Sequence, residues 1–508
     1  MTTPSSPSPP SSRSPSPEIT VSPPSPSQEL GIPTDDTEES ITGFASKDVE
    51  EDPQRRHTDM GWPNRDFTYH LLTEEEASTE ISRLSAPGIS SGRVHTVSLQ
   101  PNREKPSQDR FITEEWDLGE RGIWKFRAVF DGHAAGDETV DYVFSTLPHK
   151  IRSALTALFD INTEAVSSLL RENISATDDS IKQGVLELFP SSTYLEQLSD
   201  EEIRAIVNDR PTSDSQAVDD MPDVTVPSLT GPTTLTRKYA GRGPHNMKVT
   251  RAMRGTTVLI VLISPEGGTW TASLGDCQAV LGQKQSSTWT TTILSANHNA
   301  AEPSEVARVR SEHPGEENVV DKNRVLGLIA VTRAIGDHQF KLPSIYTKRV
   351  FALAIPGMNR PEYHTELILN CNLTPPYVSG VPDVRYFKLD NNAKACLIMS
   401  SDGLLDLYGG QDWQEQHVDI ADLCKTWVDL IGASLDTDPN SSSAPHQSAE
   451  PLDNLALSLL NRGLRGPTKT FAGDIWTDDD ALDRASSLLT LEYKDKWMDD
   501  TTVLVEVL

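Results

Sequence analysis

The stretch Val129-Phe130-Asp131-Gly132-His133 places a carboxylate and an imidazole, separated by one glycine, directly after a run of alternating apolar residues. Trp124, Phe126, Ala128 and Phe130 form that run, and such alternation predicts a β-strand with one buried face. The carboxylate and the imidazole are therefore delivered together at a strand end. One aspartate cannot hold a hard divalent cation, so a metal site here requires carboxylates from other strand ends.

Isolated aspartates recur at predicted strand ends further along the chain. Asp276 follows the second strand of a predicted hairpin, whose turn is Pro265-Glu266-Gly267-Gly268. Asp402 follows a short apolar run, and Asp499 stands just before a last predicted strand over residues 501–508. Turn and cap aspartates are common, so any one of these alone would be structural in most proteins. Their joint occurrence at strand ends indicates a shared site.

The ligand type indicates the class of metal. Oxygen ligands without clustered His or Cys favour Mg²⁺ or Mn²⁺ and argue against zinc. Two such ions about 3.5–4 Å apart, bridged by one carboxylate, lower the pKa of a shared water and orient it for attack on a phosphoryl centre. Asp131 is the best candidate for the bridging ligand.

The order and wording of the motifs resemble the metal-dependent protein phosphatases, the type 2C serine/threonine phosphatases or PPM family. The segments that carry this resemblance are Pro106-Ser107-Gln108-Asp109, Val129–His133, Ser273–Cys277, Arg324–Asp337, Ser400–Gly403 and Met498–Thr502. Similarity to the pyruvate-dehydrogenase-phosphatase-like branch is suggested by Asn297-His298-Asn299-Ala300, Ser311-Glu312-His313-Pro314, Phe340-Lys341 and Pro375-Pro376-Tyr377.

The resemblance implies a binuclear Mg²⁺ or Mn²⁺ centre with a looser third ion, at which a metal-activated water hydrolyses phosphoserine or phosphothreonine. The implied ligands are the bridging Asp131, the Gly132 carbonyl, Asp402, Asp499, Asp109 and Gln108, with Asp276, Asp402 and Asp406 at the third ion. Phosphoproteins are the implied partners.

His133 is the implied general acid, which would protonate the departing seryl or threonyl oxygen. Imidazole suits this role because its unperturbed pKa lies near neutrality. An imidazole beside metals can also be a simple hydrogen-bond partner, but the position directly after Asp131-Gly132 favours catalysis.

Two departures from the family pattern affect the expected activity. Gln108 stands where the family usually has glutamate, so the site carries one negative charge fewer and weaker metal binding is expected. Glu104 stands where many members have a phosphate-binding arginine, although the branch that this chain resembles commonly lacks that arginine too. Arg103 is the candidate substitute for phosphate binding; the alternative is that this charged stretch is a solvated loop.

Hairpins and helices without a regular βαβ rhythm predict the α+β class. The resemblance makes this an αββα sandwich, in which two central antiparallel β-sheets are flanked by helices and the metals lie in a cleft at one end. The predicted helices are Thr73–Leu84, Val140–Phe159, Ala301–Glu312, Asp419–Gly432, Leu455–Arg462 and Asp480–Leu489. The first of them begins with a predicted capping box, Thr73-Glu74-Glu75-Glu76.

Composition divides the chain into a tail and one catalytic unit. Residues 1–56 are rich in Ser and Pro, then acidic, and predict a disordered tail. Residues 60–508 are expected to form the phosphatase domain, with surface insertions near 209–248 and 436–453. The first insertion ends in a basic cluster, which would either attract a phosphorylated substrate or form a solvated loop.

Charge and cysteine content limit the environment. A formal net charge of −30 and a sequence pI near 4.7 argue against a nucleic-acid surface. The four cysteines form no C-x-x-C pair, and the sequence contains no apolar run long enough to cross a bilayer. We therefore expect the cytoplasm or nucleus, with mitochondria as the alternative and no membrane partner. The oligomeric state does not follow from the sequence.

Three functional hypotheses of different classes remain open. The first is an active protein serine/threonine phosphatase. The second is a catalytically weakened pseudophosphatase, disabled by Gln108 and Glu104, that binds phosphoproteins without turnover. The third is a metal-dependent hydrolase of small phosphate esters.

Overall fold

The computed structural model describes residues 54–508, apart from 63, 211–241, 359–360, 410–417, 437–453 and 467–476. The predicted tail, as far as residue 53, and most of both predicted insertions lie outside the described residues. The domain boundaries and the disorder of the tail therefore stay predictions.

Two antiparallel sheets form the centre of the fold. Sheet A has the strand order Asp383–Lys388, Gly268–Leu274, Val258–Ile263, Ile123–Phe130, Arg110–Asp117. Sheet B has the strand order Thr288–Ile293, Gln278–Gln285, Ala395–Ser400, Thr501–Val507, Val94–Leu99, Gly88–Ser90. A third, small sheet joins Ile335–Gly336, Gly255–Thr256 and Gly132–His133. Two-stranded ribbons pair Arg55–Thr58 with Phe67–His70 and Val320–Asp321 with Arg324–Val325.

Helices cover the outer faces of the sheets. Their bounds are Glu74–Ser85, Glu138–Ala157, Thr163–Leu188, Ser192–Gln197, Asp200–Val207, Pro244–Met253, Pro303–Glu312, Ser344–Arg349, Pro361–Cys371, Gly403–Gly409, Ile420–Asp436, Leu455–Arg465 and Asp478–Thr490. Short 3₁₀ turns occupy Gly119–Arg121, His338–Phe340 and Phe351–Leu353. Among the described residues, no helix combines the length and the apolar character that a bilayer crossing requires.

Local sequence accounts for the elements that position the site. The central strand Val258–Ile263 consists of six buried aliphatic residues, because both of its faces are covered. The helix Glu74–Ser85 begins at Thr73, whose side chain accepts from the Glu76 amide while the Glu76 carboxylate accepts from the Thr73 amide. That capping box was predicted and is confirmed.

Three apolar layers hold the sandwich together. Val129, Leu259 and Leu397 belong to the layer between the two sheets. Outside sheet A, the helix Glu138–Ala157 packs its buried face, and outside sheet B the helix Ile420–Asp436 does the same. The predicted αββα sandwich is thereby confirmed.

Two helices depart from the sequence-based picture. Thr163–Leu188, 26 residues long, was not predicted, although it buries one face in the layer outside sheet A. Pro244–Met253 begins within the insertion predicted near 209–248, so the insertion ends earlier than Lys248. Its ten residues are too few to establish a clear helical period, and packing of Val249 and Met253 into the core stabilises the helix.

A buried ion pair crosses the space between the sheets. Arg127 of sheet A donates from Nε to Glu506 Oε2 at 2.8 Å and from Nη2 to Oε1 at 3.0 Å, and both side chains are 1% exposed. Lys125 adds a third contact to Glu506 at 2.8 Å. Such a pair contributes little net stability over an apolar pair, but removing one partner leaves a buried charge without compensation.

We therefore expect Glu506→Ala to lower the free energy of unfolding by about 3–5 kcal/mol. The double variant Arg127→Met/Glu506→Leu should recover most of that loss, because the fully buried guanidinium is removed together with its partner. The Lys125 ammonium also loses Glu506, but its side chain is 30% exposed and can be hydrated. Chemical denaturation of the three proteins measures both effects. If the double variant is less stable than Glu506→Ala, the ion pair itself is the stabilising element and this expectation is wrong.

Candidate metal centre

Strand register brings the predicted ligands of sheet A together. Arg110 pairs with Phe130, so Asp109 and Asp131 lie next to one another at one end of the strands. The strand that leads to Asp276 finishes at the same end of the sheet, because it pairs with the central strand in antiparallel register.

Sheet B contributes its predicted ligands at the corresponding end of its strands. Ser400 pairs with both Gln278 and Val503, which places the turn after Ser400 beside the start of the last strand. Asp402 lies in that turn, and Asp499 directly precedes that strand. The two sheets therefore present carboxylates toward a common space between their ends.

Three of the predicted ligands converge most closely. Carboxylate oxygens of Asp131, Asp276 and Asp402 all lie within 4.8 Å of one another. Asp276 and Asp402 also line a cleft of about 310 Å³, together with the exposed Asp406. The structure thus brings together residues that are separated by more than a hundred positions in the chain.

The electrostatics of this cluster require positive charge. Burial, together with the neighbouring carboxylates, raises the pKa of Asp131 and that of Asp402 well above the usual range, and Asp499 acts on both. Burial and the nearby Asp500 raise the pKa of Asp109 to about 7. Each carboxylate therefore disfavours the ionised form of the others.

Unused acceptor atoms support a cation site. One buried carboxylate oxygen each of Asp109, Asp276 and Asp402 finds no hydrogen-bond partner in the part of the chain that the structure describes. Buried polar atoms are normally satisfied, and hard divalent cations prefer oxygen ligands. The donor set therefore fits Mg²⁺ or Mn²⁺.

Neighbouring side chains hold the ligands in place. The Asp131 amide donates to Thr257 Oγ1 at 3.1 Å, and the Thr257 amide donates back to the Asp131 carbonyl at 2.9 Å. Asn299 Nδ2 donates to Asp276 Oδ2 at 2.7 Å, which leaves Oδ1 as the oxygen without a partner. Ser401 Oγ donates to Asp109 Oδ2 at 2.7 Å.

Gln108 is fixed by two hydrogen bonds. Its backbone amide donates to Asp500 Oδ2 at 2.7 Å, and its side-chain Nε2 donates to the Gly136 carbonyl at 2.9 Å. A glutamate could not make the second bond, because a carboxylate has no hydrogen to donate. The amide is thus built into this loop, and the role of Gln108 toward a metal stays a prediction. Gly132 passes close to the same loop, since a Cβ there would lie 2.8 Å from the Gln108 carbonyl oxygen.

His133 has one polar partner among the described residues. Its Nε2 lies 2.6 Å from Asp337 Oδ2, and its side chain is 24% exposed. Burial would lower the pKa of His133, but the adjacent Asp337 carboxylate outweighs this effect and the pKa is raised.

Arg103 lies in different surroundings. Its guanidinium is 77% exposed and 3.7 Å from Glu80, and it lines a separate cavity with Glu104 and Trp497. In the described part of the chain, Arg103 makes no contact with the aspartate cluster. Its phosphate-binding role stays a prediction.

Three described residues of the basic cluster at the end of the first insertion, Arg242, Lys248 and Arg254, form contacts within the fold. Arg242 pairs with Glu138, and Lys248 pairs with Glu187 at 2.7 Å. Arg254 is 1% exposed and donates to the Gly357 carbonyl at 2.8 Å. These three residues therefore form neither a solvated loop nor an open phosphate-binding surface.

The sequence reasoning missed the partners of the predicted ligands. Asp337, Asn299 and Asp500 contact His133, Asp276 and Gln108 respectively. All three lie in segments quoted for the family resemblance, so a signal was present. Their roles could not be assigned, because each contact joins segments that are distant in the chain.

Comparison with known proteins gives consistent relatives. A family model described as protein phosphatase 2C matches residues 191–424, which include Asp276, Asp337 and Asp402. A protein phosphatase 2C homolog of Schizosaccharomyces pombe is 25% identical over 397 residues, which cover 76% of this chain and 74% of the relative.

A second relative covers a shorter segment. Bovine [pyruvate dehydrogenase [acetyl-transferring]]-phosphatase 1, mitochondrial, is 38% identical over 144 residues, or 28% of this chain. That match spans 26% of the relative's own length. Among solved structures, serine-threonine phosphatase 2C from Toxoplasma gondii aligns at a TM-score of 0.40 and 13% identity, covering 84% of this chain and 98% of that chain.

Replacement of one clustered carboxylate should have opposite effects with and without metal. We expect Asp402→Asn to raise the thermal stability of the metal-free protein, since the variant removes one of the mutually repelling carboxylates. The same variant should lose the stabilisation that Mn²⁺ gives the unchanged protein. Thermal unfolding with and without Mn²⁺ measures both.

The matched control is Asp429→Asn, an exposed aspartate on the helix Ile420–Asp436. It should leave both the metal-free stability and the Mn²⁺ response unchanged. An undiminished Mn²⁺ response in Asp402→Asn would show that the cation binds elsewhere.

Proposed function

This chain carries a protein phosphatase 2C domain, and from that premise we propose that it hydrolyses phosphoserine and phosphothreonine in protein substrates with the help of Mg²⁺ or Mn²⁺. The observation that carries the proposal is the convergence of Asp131, Asp276 and Asp402 within 4.8 Å. One buried oxygen each of Asp276 and Asp402 has no hydrogen-bond partner among the described residues.

The carboxylates divide between the ions in this proposal. Asp131 would bridge two ions, with the Gly132 carbonyl on one, and Asp402 and Asp499 on the other. Asp276 and Asp406 would hold a third. Divalent cations, when bound there, lower the pKa of a water and offset the charge of the phosphoryl group.

The chain's own residues hold two of the proposed ligand residues in place. Thr257 fixes the backbone of Asp131 from both sides, so the bridging carboxylate keeps one orientation. Asn299 occupies one oxygen of Asp276 and directs the other toward the cluster. Such prearranged ligands avoid reorganisation during the reaction.

His133 would supply the proton for the departing oxygen. Within the described ranges, one of its ring nitrogens is hydrogen-bonded, and the partly exposed side chain lies two residues from Asp131. Protonation of the leaving group by a positioned acid contributes about 10²–10⁴-fold to a rate.

The substrate class is proposed at the level of phosphoproteins. Cytoplasmic or nuclear phosphoproteins are the first choice, and mitochondrial ones are the alternative, which the similarity to mitochondrial pyruvate dehydrogenase phosphatases favours. We propose Arg103 as a contact for substrate phosphate, since it is an exposed cation next to Glu104.

Phosphate release from a phosphoserine peptide tests the proposed function. The unchanged protein should release phosphate when Mn²⁺ or Mg²⁺ is added and stop when the metal is chelated. Asp131→Asn should lose at least about 10²-fold in rate, because the bridging charge is removed. Asp429→Asn should retain full activity, because the Asp429 side chain is exposed and does not belong to the group of Asp131, Asp276 and Asp402.

The outcomes separate the alternatives. Binding of the phosphopeptide without metal-dependent release would replace the enzyme by a pseudophosphatase. Faster hydrolysis of a small phosphate ester such as glycerol phosphate than of the peptide would indicate a metabolite phosphatase. Equal rates for Asp131→Asn and the unchanged protein would place the chemistry away from this cluster.

A further inference from the structure

Asp337 occupies an unfavourable position in the fold. Its side chain is fully buried, its Oδ1 has no hydrogen-bond partner, and its backbone φ is +30°. A left-handed backbone is uncommon in non-glycine residues, although Asp and Asn adopt it more readily than others, and a buried carboxylate with an unsatisfied oxygen is destabilising. Among the described residues, the one polar contact of this carboxylate is Oδ2 to His133 Nε2 at 2.6 Å. Features of this kind cluster at functional sites.

The small sheet fixes both partners of that contact. His133 pairs with Gly255 on one side, and Gly336 pairs with Gly255 on the other. The contact between His133 and Asp337 therefore passes directly over Gly255. A Cβ at Gly255 would lie 2.0 Å from Asp337 Oδ2 and 2.1 Å from His133 Nε2, so only glycine leaves room for the pair.

The strand that carries Gly255 is itself anchored. The Asp337 amide donates to the Arg254 carbonyl at 3.0 Å. The buried Arg254 guanidinium donates to the Gly357 carbonyl at 2.8 Å and lies 3.8 Å from Glu138. Asp337 is thus held by the backbone of its neighbouring strand, and its carboxylate has little freedom to turn away from His133.

This geometry distinguishes the two nitrogens of His133. Nε2 faces a carboxylate, which accepts hydrogen bonds only, so Nε2 carries its hydrogen toward Asp337. Nδ1 is the other nitrogen, and it has no hydrogen-bond partner among the described residues. The ring is held at one side and open at the other.

We propose that Asp337 is a positioning residue that holds His133 so that Nδ1 delivers the proton to the departing seryl or threonyl oxygen. The inference rests on the proposed function. In this step a water oxygen bonds to phosphorus and the bond from phosphorus to the seryl oxygen breaks. The seryl oxygen takes the proton from Nδ1. One proton of the attacking water stays on the released phosphate, and the other restores the ring through solvent.

Dependence on the leaving group tests this assignment. A seryl oxygen is a strong base and needs a proton as it departs, whereas p-nitrophenolate is a much weaker base and departs without one. Asp337→Asn removes the carboxylate, keeps the shape of the side chain and tolerates the left-handed backbone. With Mn²⁺, it should lose about 10–100-fold in kcat on a phosphoserine peptide, within the range that a positioned acid supplies. On p-nitrophenyl phosphate the loss should stay below about 3-fold.

A second variant disturbs the same contact from the backbone. Gly255→Ala must push His133 and Asp337 apart, and it should show the same selective loss on the peptide. Its control is Gly184→Ala in the helix Thr163–Leu188, where a Cβ has no neighbour nearer than 3.4 Å and both activities should be unchanged. His133→Asn sets the upper limit of the selective loss.

The outcomes distinguish this inference from the proposed function. Selective loss in Asp337→Asn with unchanged or raised thermal stability supports the assignment. Equal loss on both substrates, or full activity on the peptide, overturns it while the phosphatase proposal stands. If the unchanged protein releases phosphate from neither substrate with Mn²⁺, the proposed function fails and this inference fails with it.

Discussion

The mutual repulsion of buried carboxylates at one end of the two sheets is the constraint on which the rest of the structure depends. Asp131, Asp276 and Asp402 lie within 4.8 Å of one another, and Asp109 and Asp499 add to the same negative field. Without a cation, such a cluster opposes folding. The surrounding scaffold therefore has to supply the free energy that keeps these groups together.

Three apolar layers supply that free energy. Strands buried on both faces, such as Val258–Ile263, allow little adjustment of register, because a slip of one residue would turn every side chain to the other face. The buried Arg127–Glu506 pair joins the two sheets across the space between them. A rigid sandwich of this kind can hold ligands on five separate segments, and a few turns by themselves could not.

Two residues beside the aspartate cluster combine a local structural role with a cost. Gln108 donates to the Gly136 carbonyl, so its amide belongs to the local hydrogen bonding and also withholds the charge that a glutamate would carry. Asp337 combines a left-handed backbone with a buried carboxylate, one oxygen of which has no hydrogen-bond partner among the described residues. Both costs fall next to the aspartate cluster, and local rules are broken most often at functional sites.

The sequence by itself determined the fold class and the ligand candidates. Three local patterns are visible in the sequence: the alternating apolar residues before Asp131, the hairpin before Asp276 and the final strand after Asp499. Such patterns can be recognised without the tertiary structure, because they depend on neighbouring residues alone. Capping at Thr73 was readable for the same reason. The ordered motifs then indicated the sandwich, since several distant segments matched one family in one order.

Only the tertiary structure decided which groups touch. The contacts of Asp337 with His133 and of Asn299 with Asp276 join residues 204 and 23 positions apart, and no spacing rule relates them. The helix Pro244–Met253 likewise depends on core packing more than on its own ten residues. Burial and strand register set these contacts, because both arise from the packing of the whole chain.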